Sequence, residues 1–193
     1  MTVTAAQATE LIRKRRSIYP NTYVDRPIPR EIVEELLVNA NYAPTHKLTE
    51  PWRFRVFYSE QSRQRLSEYL GDWYEANTLP ENFKERKLKK TRFNPVASGC
   101  VIAIILQRDP EARVPEWEEV AAVSCAVQNI WLTCSAHQIG CYWSSPRSII
   151  EAREFLELGN GERCLGLLYM GYHELPDDLP AKRTPIEDKV VWL

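Results

Sequence analysis

The sequence predicts a single domain over residues 1–193, of the α/β or α+β class, with one sheet flanked by helices. Three observations predict it. Four short β-rich runs (Trp52–Tyr58, Cys100–Leu106, Cys141–Trp143 and Cys164–Tyr172) are interspersed with longer segments of helical spacing. The 193 residues are enough for one real core and stand at the upper end for a single one. No internal repeat or low-complexity tract divides the chain.

Thr4 to Gln7 reads as a capping box, in which hydroxyl and amide side chains satisfy free backbone amides at a helix start. That helix runs through Leu11 and Ile12 into Arg13-Lys14-Arg15-Arg16-Ser17. Pro20, Pro27 and Pro29 mark an extended connector. Pro29 then opens a second helix over Arg30–Tyr42, with Ile32, Val33, Leu36, Leu37 and Ala40 on one face. Two prolines make Pro44–Pro51 a loop. Trp52–Tyr58 alternates aromatic or apolar residues with arginine, a strand pattern. Ser59 caps a third helix striped by Leu66, Tyr69, Leu70 and Trp73. The polar stretch Asn77–Pro95, crowded with Lys84, Arg86, Lys87, Lys89, Lys90 and Arg92, is expected to be a mobile, solvated helix near the mouth of a site, where it could also meet the phosphates of a dinucleotide.

Cys100–Leu106 is a continuous apolar run, hence a strand buried on both faces. Pro115 starts a long helix whose apolar residues, among them Val123, Val127, Ile130 and Cys134, occupy more than one face, so it is buried on nearly all sides. Gly140 is expected to stop it in a left-handed cap. Ser148 and Glu151 repeat the capping-box pattern and predict a short helix to Leu156. Gly159-Asn160-Gly161 turns the chain. Its G-x-G spacing follows a helix and precedes a strand, the wrong context for dinucleotide binding. The tail ends in Val190-Val191-Trp192-Leu193, which needs apolar surface on its own body or on a partner subunit.

Composition narrows the function. A formal net charge of -1 gives no global attraction to nucleic acid or anionic membrane. The longest apolar run, Val101–Leu106, is far short of a membrane span, and no secretory signal pattern opens the chain. The five cysteines lack a Cys-x-x-Cys pair and sit in apolar surroundings, so free thiols in a reducing, cytoplasmic setting are expected. The three histidines, His46, His137 and His173, are far apart, and no metal site is expected. No aromatic residue interleaves with the cations between Lys84 and Arg92, which argues against a nucleic-acid patch.

Three stretches carry chemistry. Arg15, Arg16 and Ser17 offer two bidentate guanidinium forks and a hydroxyl, a set suited to phosphate, although cations at a helix C-terminus also simply complement its dipole. The loop Thr45-His46-Lys47-Leu48-Thr49-Glu50 gathers hydroxyl, imidazole, amine and carboxylate. Trp143-Ser144-Ser145-Pro146 ends a strand in small hydroxyls, where a flat ligand can lie against backbone.

Arg15-Arg16-Ser17 after a first helix is followed by Ala43-Pro44-Thr45-His46 with Glu50-Pro51-Trp52-Arg53-Phe54. Gln138-Ile139-Gly140 with Tyr142-Trp143-Ser144 and a closing Leu167–Tyr172 come next, all in register. In this order and spacing the chain resembles the nitroreductase family of flavoproteins over nearly its whole length. The resemblance implies a three-layer α+β fold around a central, mostly antiparallel sheet, with the C-terminal tail extending onto a partner subunit. It implies FMN at the interface of a homodimer. Arg15, Arg16, Ser17 and Arg183 would hold the phosphate end, and Trp143, Ser144 and Ser145 would lie along the isoalloxazine edge. His46 and Glu50 would reach the flavin from the neighbouring subunit, and Ser135–Gly140 would lie where relatives place the pyridine nucleotide. The implied activity is ping-pong hydride transfer from NADH or NADPH through FMN to a nitroaromatic, quinone or similar small acceptor. The flavin carries the chemistry and no side chain acts as a catalytic group. Another reduction on the same scaffold, such as dehalogenation, and a non-catalytic flavin-binding or storage protein are the alternatives.

Overall fold

The computed structural model describes residues 2–176 and 179–193. Four strands, β1 (Trp52–Phe57), β2 (Cys100–Gln107), β3 (Ile139–Ser144) and β4 (Glu162–Tyr172), form one sheet in the order β1-β2-β4-β3. Every pairing is antiparallel, so the expected mostly antiparallel sheet is wholly so. β1 and β3 are its edges.

The continuous apolar run of β2 is explained by cover on both faces. Ile102, Ile104 and Leu106 join one core with Val33, Leu36 and Ala40 of α2 (Arg30–Ala40) and Val123, Val127 and Ile130 of α5 (Glu116–Ala136). Val101, Ala103 and Ile105, alternating with them, join a second core with Leu66 and Leu70 of α3 (Glu60–Ala76) and Ile149 of α6 (Arg147–Ile150). α1 (Ala5–Lys14) lies against α5, and α4 (Glu85–Ala97) against α3. The result is a helix–sheet–helix sandwich.

The start of α1 follows its sequence: Thr4 accepts from the Gln7 amide while the Gln7 side chain accepts from the Thr4 amide. Ser59 likewise caps α3. Two expectations fail. Gly140 does not end the central helix, which stops at Ala136. Gln138 takes the left-handed φ of 56°, and Gly140 already pairs with Gly171 in β3. A Cβ on Gly140 would stand 2.7 Å from Ile18 Cγ2 and 2.8 Å from Tyr23, so close packing of the connector explains the glycine. Ser148 caps nothing: Pro146 is the cap of α6, Ser148 is buried inside it, and the helix ends at Ile150 instead of reaching Leu156. The Glu151 carboxylate pairs with Arg147.

α4 is docked where a mobile, solvated helix was expected. Leu88 is buried, and Arg92 pairs with Asp72 and Glu75 of α3. All five cysteines are free. Burial raises the thiols of Cys100 and Cys164 to about 12 and about 11. Among the described residues no helix is long and apolar enough to cross a membrane. The tail finds no seat on its own body, since Val191 is 81% and Trp192 92% exposed.

Candidate functional site

The first half of the site is built where α1 meets the end of α5. The Arg15 guanidinium lies over the Trp131 ring, 4.8 Å from its centroid, and Trp131 Nε1 donates to the Arg16 carbonyl at 3.1 Å. One tryptophan of the central helix thus holds both arginines. Arg16 Nε donates to the Leu179 carbonyl at 2.8 Å, tying the tail to the arginine loop. The tail brings Arg183 along. Burial lowers the Arg15 pKa first, and the positive charges of Arg183 and Arg16 lower it further.

Three guanidiniums therefore converge, and none is paired with a carboxylate among the described residues. Like charges gathered in this way oppose folding unless an anion answers them. Ser17 follows, exposed. The next residue, Ile18, fastens the loop to β3 by donating to the Cys141 carbonyl at 3.1 Å. Ser135, Gln138 and Ile139 line a cavity of about 370 Å³ together with Arg16, Lys14 and Trp131.

The second part is the end of β3. Trp143 and Ser144 are half-buried and Ser145 is exposed. Gly166, with φ 136° at a bulge in β4, makes room for them, because a Cβ there would meet Trp143 Nε1 at 2.5 Å and the Ser144 carbonyl at 2.6 Å. Trp143 Nε1 donates to the Leu165 carbonyl at 3.2 Å, which fixes the ring. On the other face, the Tyr142 ring meets that of Tyr19, with centroids 4.6 Å apart.

The third part is the loop before β1. Lys47, Leu48 and Glu50 all have positive φ, at 50°, 52° and 40°. Each non-glycine residue held there costs on the order of 1–3 kcal/mol, and such strain clusters at ligand clamps. His46 Nδ1 meets the Glu118 carboxylate at 2.6 Å in the first turn of α5. Lys47 Nζ donates to the Arg113 carbonyl, and Arg16 donates from Nε and Nη1 to the Leu179, Arg13 and Arg15 carbonyls. The Glu50 carboxylate stays exposed, and Arg53 donates to its backbone carbonyl at 2.9 Å.

The fold brings Arg15, Arg16 and Arg183 together with Ser17 following, and the bond from Ile18 to Cys141 fastens β3 alongside. The same fold keeps His46 and Glu50 away from them. Glu118 and Trp131 are thirteen residues apart on α5, which separates the two ends by about 20 Å at 1.5 Å per residue. Sequence reasoning missed Trp131, Tyr19 and Leu179. An indole in a core helix and a tyrosine beside an Arg-Arg-Ser run are visible signals, whereas a backbone carbonyl leaves none.

The pattern described as the nitroreductase family matches residues 12–172. The chain is 30% identical over 184 residues to "Putative NAD(P)H nitroreductase YfhC" of Bacillus subtilis, covering 93% of this chain and 91% of that one. Its fold matches a nitroreductase-like family protein from Bacillus cereus with a TM-score of 0.81 and 27% identity, over 100% of this chain and 99% of that chain. It also matches, at a TM-score of 0.73 and 24% identity, a "putative nitroreductase" from Desulfovibrio desulfuricans solved in complex with FMN. That likeness covers 100% and 98% of the two chains.

Proposed function

The chain belongs to the nitroreductase family, and on that premise we propose that it is an FMN-dependent NAD(P)H oxidoreductase acting on nitroaromatics, quinones or similar small acceptors. The observation that carries this reading is the cluster of Arg15, Arg16 and Arg183, three guanidiniums unanswered by any carboxylate among the described residues. A phosphate monoester is close to a dianion, and guanidinium forks match its oxygens in pairs. Bound FMN would supply hydride transfer between nicotinamide and acceptor. The protein's residues would bind and orient. Arg15, Arg16, Arg183 and Ser17 hold the phosphate end, while Trp143, Ser144 and Ser145 present a flat, half-apolar strand end to the ring.

The site is completed by a second copy. His46 and Glu50 stand at the far end of α5 from the arginines of their own chain, so they serve the partner's flavin. The exposed Val190–Leu193 tail seats on the partner. Its receiving surface is the groove beside the open β1 edge, lined by Leu37, Val38, Tyr42, Phe54 and Val56, with Tyr42 81% exposed.

The test is the visible spectrum of the purified protein, before and after anaerobic addition of NADPH or NADH. Flavin bands that bleach are the expected result. Bands that persist with both donors would make this a flavin-binding or storage protein, and a colourless protein that cannot be reconstituted with FMN would refute the phosphate site. Removal of residues 190–193 is expected to shift the sedimentation profile from dimer toward monomer and to release flavin with it. An unchanged dimer would remove the tail from the interface.

A further inference from the structure

α4 presents a stripe that neither the core nor the arginine cluster uses. Arg86, Lys89, Lys90 and Phe93 fall at i, i+3, i+4 and i+7, so they share one face. The rest of the helix is committed: Leu88 is buried, the Lys87 ammonium sits 4.9 Å from the Tyr74 ring centroid, and Arg92 pairs with Asp72 and Glu75. The stripe faces the turn that follows Arg15-Arg16-Ser17. Between them lies a cavity of about 470 Å³, with Tyr19 and Asn21 on its other wall. Among the described residues no carboxylate lines it. Lys89 has one acidic neighbour, Glu85, at an exposed 3.7 Å, while Arg86 and Lys90 have none among the described residues. The Tyr19 and Phe93 rings are 45% and 47% exposed.

This cavity is distinct from the phosphate cluster. Along β3 successive side chains point to opposite faces. Cys141 belongs to the core on the α5 side, whereas Tyr142 packs against the core on the α3 side and carries Tyr19. The arginines held by Trp131 and the cavity held by Tyr19 thus lie across the β3 edge from one another.

We infer that the α4 cavity receives a small, flat aromatic acceptor bearing a carboxylate. The cations select the anionic group, the two rings flank the flat body, and the volume suits one or two fused rings. The inference rests on the flavoprotein reading for its supply of electrons, but the recognition it describes is a binding property of this chain.

The test is isothermal titration of the oxidised protein as purified with 4-nitrobenzoate and with its neutral methyl ester, repeated on an Arg86→Gln/Lys90→Gln double variant. Both positions are exposed, so folding is retained. The wild type is expected to bind the acid about tenfold more tightly than the ester, one charge-assisted contact's worth, and the double variant to bind both alike. In turnover, the KM for the acid rises by the same factor and kcat holds. Equal affinities in the wild type, or no binding of either compound, would overturn the inference. So would a variant that loses FMN, which would assign the cavity to the cofactor, or one in which only the NADPH affinity falls, which would assign it to the donor. A protein that binds no flavin defeats the proposed function; a flavin-loaded, reducible protein with no preference for the acid defeats only this inference.

Discussion

Two groups of charges sit at opposite ends of α5, and they are built on opposite principles. At its N-terminal end the two buried carboxylates, Asp109 and Glu119, are both answered. The Glu119 carboxylate, 1% exposed, pairs with Arg108 and accepts the Asp109 amide at 2.7 Å. Asp109 in turn takes three donors of Arg113, from its amide, Nε and Nη2, at 2.8 to 3.1 Å. This closed network ties the chain leaving β2 to the first turn of α5. At the C-terminal end Arg15, Arg16 and Arg183 face one another, and none of them is paired with a carboxylate among the described residues; the nearby Glu10 is taken by Lys14. The contrast separates charges that hold the fold from charges that, on the proposed reading, await the flavin phosphate. The first kind satisfy one another. On that reading the second kind raise the free energy of the folded chain until the phosphate answers them.

Substitutions at the two ends of α5 should have opposite effects. Glu119→Ala should have the largest effect, because it removes a fully buried carboxylate and strands both the half-buried Arg108 guanidinium and the Asp109 amide. A loss of about 3–5 kcal/mol is expected, read by urea unfolding. Flavin content per folded molecule should hold. If it falls before stability does, the two ends are coupled and the division is wrong. Arg15→Ala should do the reverse. Without flavin the thermal midpoint should stay or rise, since a like-charge contact is removed. FMN affinity should fall by about 10- to 150-fold, one charge-assisted hydrogen bond of about 1.5–3 kcal/mol, measured by fluorescence titration of the apoprotein. A variant that loses stability and keeps its affinity would make Arg15 a structural residue held by Trp131.

What was legible in the sequence follows the same division between local and distant causes. Strands β1, β2 and β4 were readable because alternation or continuous apolar runs state which faces are covered. The cap at Thr4 was readable because both of its partners lie within three residues. Gly140 and Ser148 misled because their surroundings are tertiary: Ile18 and Tyr23 demand a glycine in β3, and burial inside α6 takes Ser148 away from capping. In the site, the bare residues suggested that Arg15, Arg16 and Ser17 suit phosphate. That Arg183 joins them depends on the Arg16 bond to the Leu179 carbonyl, which has no side-chain signature. The separation of His46 and Glu50 from the arginines is a property of helix length and emerges only once Glu118 and Trp131 are placed on one α5.

A final, smaller effect distinguishes the two ends by pH. The Arg113 guanidinium, bonded to Asp109, holds that carboxyl at about 2, below its ordinary 3.8. The group is thus more readily deprotonated in the folded chain than in the unfolded one. Its stabilisation is complete above about pH 4 and is lost as pH falls toward about 2, where the folded carboxylate is finally protonated. Wild type should therefore lose stability below pH 4 more steeply than Asp109→Asn, while the variant starts lower at neutral pH. Urea midpoints collected from about pH 6 to pH 3 measure this directly. Parallel curves would show that the Asp109–Arg113 pair adds nothing to folding, and the closed network would then rest on Glu119 and Arg108 alone.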